Sequence, residues 1–174
     1  DYPGSYATYP YGIDGSNIVG EYLDASAIRH GFLYDGVSWT SLDYPGSVQT
    51  RAFGIDGDKI VGAYLPDWWG GWLPFIYDGT TWSRLTCPGI PADIDGDNII
   101  GSFQDWWTLR PHGFIGDGVT WTVLDNPEAF GTALSGIDGD KIVAQCEVGW
   151  LEGFLYDGTS WTSLGSGNFP YGID

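Results

Sequence analysis

Short alternations of apolar and polar residues, each interrupted by an Asp-Gly pair, recur along this chain. Apolar positions alternate on both sides of Asp56-Gly57-Asp58, and a second set flanks Asp78-Gly79. A period of two is typical of a half-buried strand, and Asp-Gly is favoured in tight turns because glycine reaches positive φ without a Cβ clash. Both segments are therefore predicted to be β-hairpins.

The two hairpin motifs alternate and repeat. The first carries an isoleucine before its turn and recurs roughly every 40 residues, at Ile13, Ile55, Ile94, Ile137 and Ile173. The second keeps one tryptophan at a fixed spacing from its Asp-Gly pair, at Trp39, Trp82, Trp121 and Trp161. Two hairpins make a four-stranded unit, so we predict an all-β, β-propeller-like array of about four such repeats, with a β-solenoid as the alternative.

The repeat defines one domain over residues 1–166 and a surplus strand over residues 167–174. One division of the repeats leaves the hairpins Tyr9–Leu23 and Gly153–Leu164 unpaired. Propellers commonly close by joining their two ends in one blade, which protects the sheet edges. We therefore expect these two hairpins to share a blade.

The surplus strand restates the start of the chain, because "FPYGID" at the C-terminus nearly copies "YPYGID" at residues 9–14. It either begins a further repeat of a longer protein or exchanges with a neighbouring copy in a head-to-tail contact that can build filaments. The candidate residues of this assembly strand are Phe169, Tyr171 and Ile173.

The second motif reads "HGFLYDG" at His30 and "HGFIGDG" at His112, and departs to "LPFIYDG" at Leu73 and "EGFLYDG" at Glu152. This pattern resembles the HAF-type repeat of bacterial surface and secreted proteins. The resemblance covers nearly the whole chain, and it implies an extracellular or cell-surface, propeller-like module. The family brings no settled biochemical activity with it.

Amino-acid composition limits the classes of molecule that the chain can bind. Twenty-three acidic residues against six basic ones give a formal charge of −17, which repels nucleic acid and anionic membranes. The chain has no apolar run long enough to insert in a membrane. It also has no methionine, hence no start residue, so we expect a mature or excised segment. Other copies of this chain, glycans and cations are the expected partners.

Tryptophans outside the repeat positions cluster between the two hairpins of a repeat. Adjacent indoles on a loop cannot easily share one core, so some indole surface is expected to be exposed, where it marks a protein interface or a sugar-stacking site. These candidates are Trp68, Trp69, Trp72, Trp106, Trp107 and Trp150.

The acidic turns invite a comparison with calcium loops, but they lack the distant bidentate glutamate of an EF-hand. We favour a turn role and expect no cofactor. If calcium binds at any turn, the third repeat is the first candidate because it places carboxylates at Asp93, Asp95 and Asp97.

Catalytic motifs are missing from the pattern: we find no serine elbow, phosphate-cradling loop or histidine cluster, and we predict that the protein is not an enzyme. Cys87 and Cys146 each replace an aromatic residue of the repeat, and their spacing does not decide whether they are bonded.

The sequence thus predicts a non-enzymatic repeat module that acts in self-assembly or cell-surface structure through strand exchange and exposed aromatic loops. The alternative is a lectin-like, carbohydrate-binding propeller that uses the loop tryptophans.

Overall fold

The computed structural model describes residues 1–167, 170, 172 and 173; Phe169 and Tyr171 of the predicted assembly strand lie outside these described residues. The regular elements of the described part are sixteen β-strands. The first eight are β1 (Ala7–Asp14), β2 (Asn17–Leu23), β3 (Arg29–Tyr34), β4 (Trp39–Leu42), β5 (Gln49–Asp56), β6 (Lys59–Leu65), β7 (Leu73–Tyr77) and β8 (Trp82–Arg84). The second eight are β9 (Ile90–Asp95), β10 (Asn98–Gln104), β11 (Pro111–Gly116), β12 (Trp121–Val123), β13 (Thr132–Asp138), β14 (Lys141–Glu147), β15 (Leu151–Tyr156) and β16 (Trp161–Ser166).

Each run of four consecutive strands forms one antiparallel sheet, which we call blades 1 to 4 in chain order. The protein therefore has the fold of a four-bladed β-propeller, and the predicted fold class is confirmed. The β-solenoid alternative is wrong, because a solenoid stacks its strands in parallel between successive coils, whereas these strands pair with their sequence neighbours in antiparallel sheets.

The blade expected to join the two ends of the chain is not what the sheets show. The hairpin of β15 and β16 pairs with β14 in blade 4, and the hairpin of β1 and β2 pairs with β3 in blade 1. Each of these two terminal hairpins thus pairs with its neighbour in sequence and not with the hairpin at the other end of the chain. Pairing with a sequence neighbour closes a shorter loop, which costs less conformational entropy.

The chain divides into two units, residues 1–86 with blades 1 and 2 and residues 87–174 with blades 3 and 4. In the first unit, one core cluster joins Val19 of blade 1 to Ile55, Ile60 and Phe75 of blade 2. In the second, Ile100 of blade 3 clusters with residues of blade 4, among them Ile137, Ile142 and Phe154. Each unit thus buries apolar residues of both of its blades in a shared core.

The turns explain the recurring Asp-Gly pairs. In the β5–β6 hairpin Asp56 pairs with Lys59, and Gly57 has a φ of 56°, as a type II′ turn with glycine at its first central position requires. In the second hairpin motif the side chain of Asp78 accepts the backbone N–H groups of Thr80 and Thr81 at 2.9 and 2.7 Å. The bond from Thr81 is the largest cause that holds the pKa of Asp78 below its usual value.

No helix in the described part of the chain is long and apolar enough to cross a bilayer.

Candidate functional site

Neighbouring blades of one unit meet at the turns of their first strands. The carboxylate of Asp14 in blade 1 accepts the backbone N–H of Gly57 in blade 2 at 2.8 Å. In the second unit the carboxylate of Asp95 accepts the N–H of Gly139 at the same distance. One aspartate of the repeated "GID" or "DID" segment therefore caps the first turn of the following blade.

The apolar side of the same contact is an isoleucine pair. Ile55 faces Ile60 across the β5–β6 hairpin, and both cluster with Val19 of blade 1. Ile137 and Ile142 form the matching pair of blade 4 and cluster with Ile100. Each pair thus covers an aliphatic side chain on the preceding blade of its unit.

Blade 1 carries the same isoleucine pair, but its surface is open. Ile13 faces Ile18 across the β1–β2 hairpin, and Ile13 is 56% exposed, whereas its equivalents Ile55, Ile94 and Ile137 are 3–5% exposed. Ile18 is half-buried, whereas its equivalents Ile60, Ile99 and Ile142 are buried. We call this surface the Ile13–Ile18 face.

The described residues of the C-terminal segment lie along β13 of blade 4. The hydroxyl of Ser135 donates a hydrogen bond to the carbonyl of Pro170 at 2.8 Å. A Cβ atom added to Gly136 would lie 2.8 Å from the Cα of Gly172, so the two backbones are in close contact. Ile173, the described member of the predicted assembly strand, is half-buried.

The loop tryptophans lie in the connections between the second and third strands of blades 2 and 3. The carboxylate of Asp67 accepts the N–H groups of Trp69 and Gly70 at 2.8 and 2.7 Å. Asp105 accepts those of Trp107 and Thr108 in the same way, at 2.7 and 2.8 Å. We call residues 66–72 and 105–110 the tryptophan loops; each is shaped by a side chain that mimics a backbone turn.

The turns present their indoles to solvent. Trp69, Trp106 and Trp107 are 92–97% exposed, and Trp68 is 57% exposed. The backbone N–H bonds, that of Thr108 first, hold the pKa of Asp105 below its usual value, so a carboxylate stands beside two solvent-facing aromatic rings. This combination of ring face and acceptor can engage a ligand that offers C–H and O–H groups.

The two other loop tryptophans differ from this pattern. Trp72 is half-buried, and the guanidinium carbon of Arg51 lies 5.4 Å from its ring centroid. Trp150 in blade 4 is 65% exposed, and its indole N–H donates to Glu152. Trp72 therefore serves as a partner for a cation of its own unit, and its ring is less available to a ligand than those of Trp69, Trp106 and Trp107.

The repeat tryptophans pack as expected of structural residues. Trp82 lies within 5.0 Å of Phe75 and 4.5 Å of Tyr77, measured between ring centroids. Trp39 makes the equivalent contacts with Phe32 and Tyr34.

The acidic candidates of the third repeat are engaged in blade packing. Asp93 accepts the backbone N–H of Ile137 at 3.1 Å, and Asp95 accepts that of Gly139. Together with Asp97, they form no metal-binding group of three in the part of the chain that the structure describes. A calcium site here stays a prediction.

The cysteines are both free, Cys146 buried and Cys87 half-buried. Cys87 takes the place of Tyr44, and Cys146 takes the place of Tyr64; these two tyrosines stack with ring centroids 3.7 Å apart in blade 2. Burial raises the pKa of both thiols, that of Cys87 to about 11. Cys146 packs in the core cluster of its unit, and the Cys87 thiol donates a hydrogen bond to the carbonyl of Gly89 at 3.1 Å.

Sequence reasoning missed a buried charge cluster. Glu21 of β2 is 1% exposed, and its carboxylate accepts hydrogen bonds from Arg29, from Arg51 of β5 and from the hydroxyl of Tyr11. The equivalent positions in the other blades hold Ala63, Ser102 and Gln145. A single acidic residue at a position that is neutral elsewhere was the available signal.

It also missed two histidine–aspartate pairs. His30 Nδ1 lies 3.0 Å from Asp43, and His112 Nδ1 lies 2.7 Å from Asp125. Both aspartates lie within the first two residues of the linker to the next blade, so the pairs connect strands β3 and β11 to the linkers that follow their blades.

The fold and these surfaces define the class of protein, a four-bladed β-propeller with exposed aromatic loops. No protein-family model matches the chain, and no curated protein matches it in sequence, so the resemblance to HAF-type repeats stays a prediction.

Solved structures do match. Pyrococcus horikoshii acylaminoacyl peptidase aligns with a TM-score of 0.61 over 92% of this chain and 27% of that one. The β-propeller domain of the Trilobed protease from Pyrococcus furiosus aligns with a TM-score of 0.56 over 94% and 52%. Aleuria aurantia lectin, solved as a mutant in complex with α-methyl-L-fucoside, aligns with a TM-score of 0.55 over 95% and 62%. Each is 15% identical to this chain, which spans less than two thirds of each of these proteins.

The prediction that the protein is not an enzyme is wrong as a conclusion from its motifs, because two of these neighbours are peptidases. The prediction relied on the absence of local catalytic motifs, and this architecture occurs within enzymes. At 15% identity the likeness establishes the fold alone, so it assigns no catalytic residue to this chain.

Proposed function

We propose that the protein is a propeller module that self-associates head to tail, with the Ile13–Ile18 face as one contact surface. The observation that carries this proposal is the exposure of Ile13, at 56% against 3–5% for its three equivalents in blades 2 to 4. An isoleucine pair that every other blade buries is an apolar surface shaped to fit another blade.

The contacts inside each unit support the same conclusion. Ile55 and Ile60 gain their burial by packing with Val19 of the preceding blade, and the Asp14 carboxylate adds a hydrogen bond to the Gly57 N–H. Blade 4 of another copy carries the equivalent groups, Val143 in place of Val19 and the exposed Asp138 in place of Asp14, so its surface complements the Ile13–Ile18 face. This contact is heterologous, and repetition of it builds an open chain of subunits.

We expect Ile13→Asp to abolish self-association, since the substitution would bury an unpaired charge at the contact. Light scattering of the wild type across a concentration series should give masses above 19.0 kDa, and the variant should require at least about a hundredfold more protein to associate. Val37→Asp is the matched control, because Val37 is 90% exposed in a turn of the same blade and the charge change is the same. Monomeric mass at every concentration, 19.0 kDa for the wild type and the corresponding monomer mass for a chain ending at Gly167, would contradict the proposal.

We also infer a second function, the binding of neutral glycans by the tryptophan loops. Trp106 and Trp107 are 92% and 94% exposed beside the Asp105 carboxylate, and indole faces stack on the C–H faces of sugar rings while carboxylates accept hydroxyl hydrogen bonds. The charge of −17 disfavours anionic partners for the same rings. Aleuria aurantia lectin offers a precedent for a sugar complex on this architecture, and an extracellular location would suit the role.

Alanine at Trp106 and Trp107 should reduce glycan affinity by about tenfold for each stacking indole lost, and Trp68→Ala with Trp69→Ala should act alike at the other loop. A glycan array with the wild type would identify the sugar, and titration calorimetry of the variants would give the change. Val119→Ala, at an exposed turn position of blade 3, serves as the control. Equal retention of the sugar by wild type and both double variants would exclude the tryptophan loops as the site.

A further inference from the structure

The C-terminal segment lies on blade 4 as blade 2 lies on blade 1. A Cβ added to Gly12 of β1 would lie 3.1 Å from the Cα of Gly54, the glycine that begins the "GID" of blade 2. A Cβ added to Gly136 of β13 would lie 2.8 Å from the Cα of Gly172, the glycine of the C-terminal "GID". Gly172 therefore stands on blade 4 where the first strand of a following blade would stand.

The residues of this segment are also those of β1. Residues 170–174 read PYGID, and residues 10–14 read PYGID. Any surface of blade 4 that accepts this segment through its backbone and its isoleucine accepts the same atoms from β1 of another copy.

We infer that the blade 4 surface formed by Ser135, Gly136 and Val143 is the docking site for β1 of a second copy, and that the chain's own C-terminal segment occupies this site in the unassociated molecule. This inference rests on the proposed self-association. The second contact surface is then the one on blade 4, and the C-terminal segment of the same chain competes with β1 of the other copy for it. Docking and self-occupation are then mutually exclusive.

The docked arrangement repeats contacts seen twice within the chain. Gly136 pairs with Val143 across the β13–β14 hairpin, as Gly12 pairs with Val19 in blade 1. Val143 would therefore pack against the Ile13–Ile18 face of the second copy, as Val19 packs against Ile55 and Ile60. Asp138 is exposed and would cap the Gly15 N–H of the second copy, as Asp14 caps Gly57 and Asp95 caps Gly139.

The competitor has an advantage of concentration. A segment tethered to the same chain meets its site at an effective concentration of order millimolar, far above the protein concentration in a typical sample. The apparent dissociation constant of the dimer is therefore raised in inverse proportion to the fraction of blade 4 sites that the segment leaves free. Loosening the segment should strengthen self-association, which is the opposite of what a connecting strand would do.

The experiment compares the full-length chain with Ile173→Asp, which places a charge on the half-buried isoleucine of the segment, and with a chain ending at Gly167. Analytical ultracentrifugation over a concentration series gives the association constant of each. We expect both changes to strengthen association by about tenfold or more, and addition of Ile13→Asp to either variant should reverse the gain.

Substitutions on blade 4 test the surface that receives β1 of the second copy. Asp138→Arg should weaken association of the chain ending at Gly167 by about tenfold, whereas Asp140→Arg, at an exposed position of the same turn, should leave it unchanged. Thermal melts monitored by circular dichroism would show that each variant is folded. Gly136→Val, which would push a side chain into the Gly172 position, should block docking as well.

The outcomes separate this inference from the proposed self-association. Weaker or unchanged association of the Ile173→Asp and shortened chains, with Ile13→Asp still disruptive, overturns the competitor role and leaves self-association standing. If the wild type and the shortened chain are both monomeric at every concentration, both proposals fall.

Discussion

Replacing Gly62 with alanine should lower the free energy of unfolding by about 3 kcal/mol, because the added methyl group has no room. Gly62 lies in β6, and its Cβ would stand 2.1 Å from the carbonyl oxygen of Arg51 and 2.7 Å from the ring of Phe75. The carbonyl belongs to the neighbouring strand and the ring is fully buried, so relief requires the β5–β6 pairing or the core to shift.

The chain supplies its own control for this prediction. Blade 4 holds Ala144 at the position of Gly62, and this alanine is fully buried, so the site tolerates a Cβ in that blade. Ala144→Gly should cost about 1 kcal/mol or less. Urea unfolding followed by tryptophan fluorescence measures both variants, and a Gly62→Ala protein with wild-type stability would show that the core of blade 2 relaxes freely around the methyl group.

Replacing Glu21 with alanine should cost about 3–5 kcal/mol, the range for breaking a buried ion pair from one side. Its carboxylate is 1% exposed and accepts hydrogen bonds from Arg29 and Arg51. Arg51 comes from blade 2, so the cluster ties the second strand of blade 1 to the first strand of blade 2. Without Glu21 the guanidinium group of Arg51 loses its counter-ion while it stays partly buried.

Two comparisons identify the cause of this loss. Glu21→Gln retains the shape and one acceptor but removes the charge, so it should be intermediate in stability. Combining Glu21→Ala with Arg51→Ala should cost less than the sum of the single changes, since the double variant leaves no unpaired charge between Glu21 and Arg51. Additive losses in chemical unfolding would mean that the two groups do not interact.

The cluster also bears on association. Tyr11 lies in the same strand as Ile13, and its hydroxyl donates a hydrogen bond to the Glu21 carboxylate at 3.2 Å. The Glu21 carboxylate therefore helps to hold β1 against blade 2. Burial is the largest cause that raises the pKa of this tyrosine. Stability and self-association should accordingly fall together in Glu21 variants, whereas Ile13→Asp should affect association alone.

Local pattern in the sequence determined the elements of this fold. The period of two, the Asp-Gly turns and the fixed tryptophan spacing act within hairpins of about a dozen residues, where strand pairing depends on the turn and on alternation. The four-stranded repeat and the propeller class follow from these features and are confirmed. The same local rules predicted Asp56-Gly57 as a turn, where the structure places it.

Contacts between blades were decided only by the tertiary structure. The sequence did not show that the carboxylates of Asp93 and Asp95 accept N–H groups of blade 4 more than forty residues away; calcium binding at these residues stays a prediction. Trp72 looked equivalent to Trp69, yet only Trp72 lies against Arg51.

Repeated residues are identical in sequence and different in environment, and this explains the division. Ile13 and Ile55 occupy the same position of the hairpin motif, but their burial depends on whether another blade packs against them. Ile55 packs against Val19 of blade 1 and is buried, whereas Ile13 is 56% exposed. Hairpin geometry is encoded within each repeat, whereas burial arises from the packing of one repeat on another. The sequence therefore determined the strands and turns of the blades, and the tertiary structure alone decided which of their faces remain exposed.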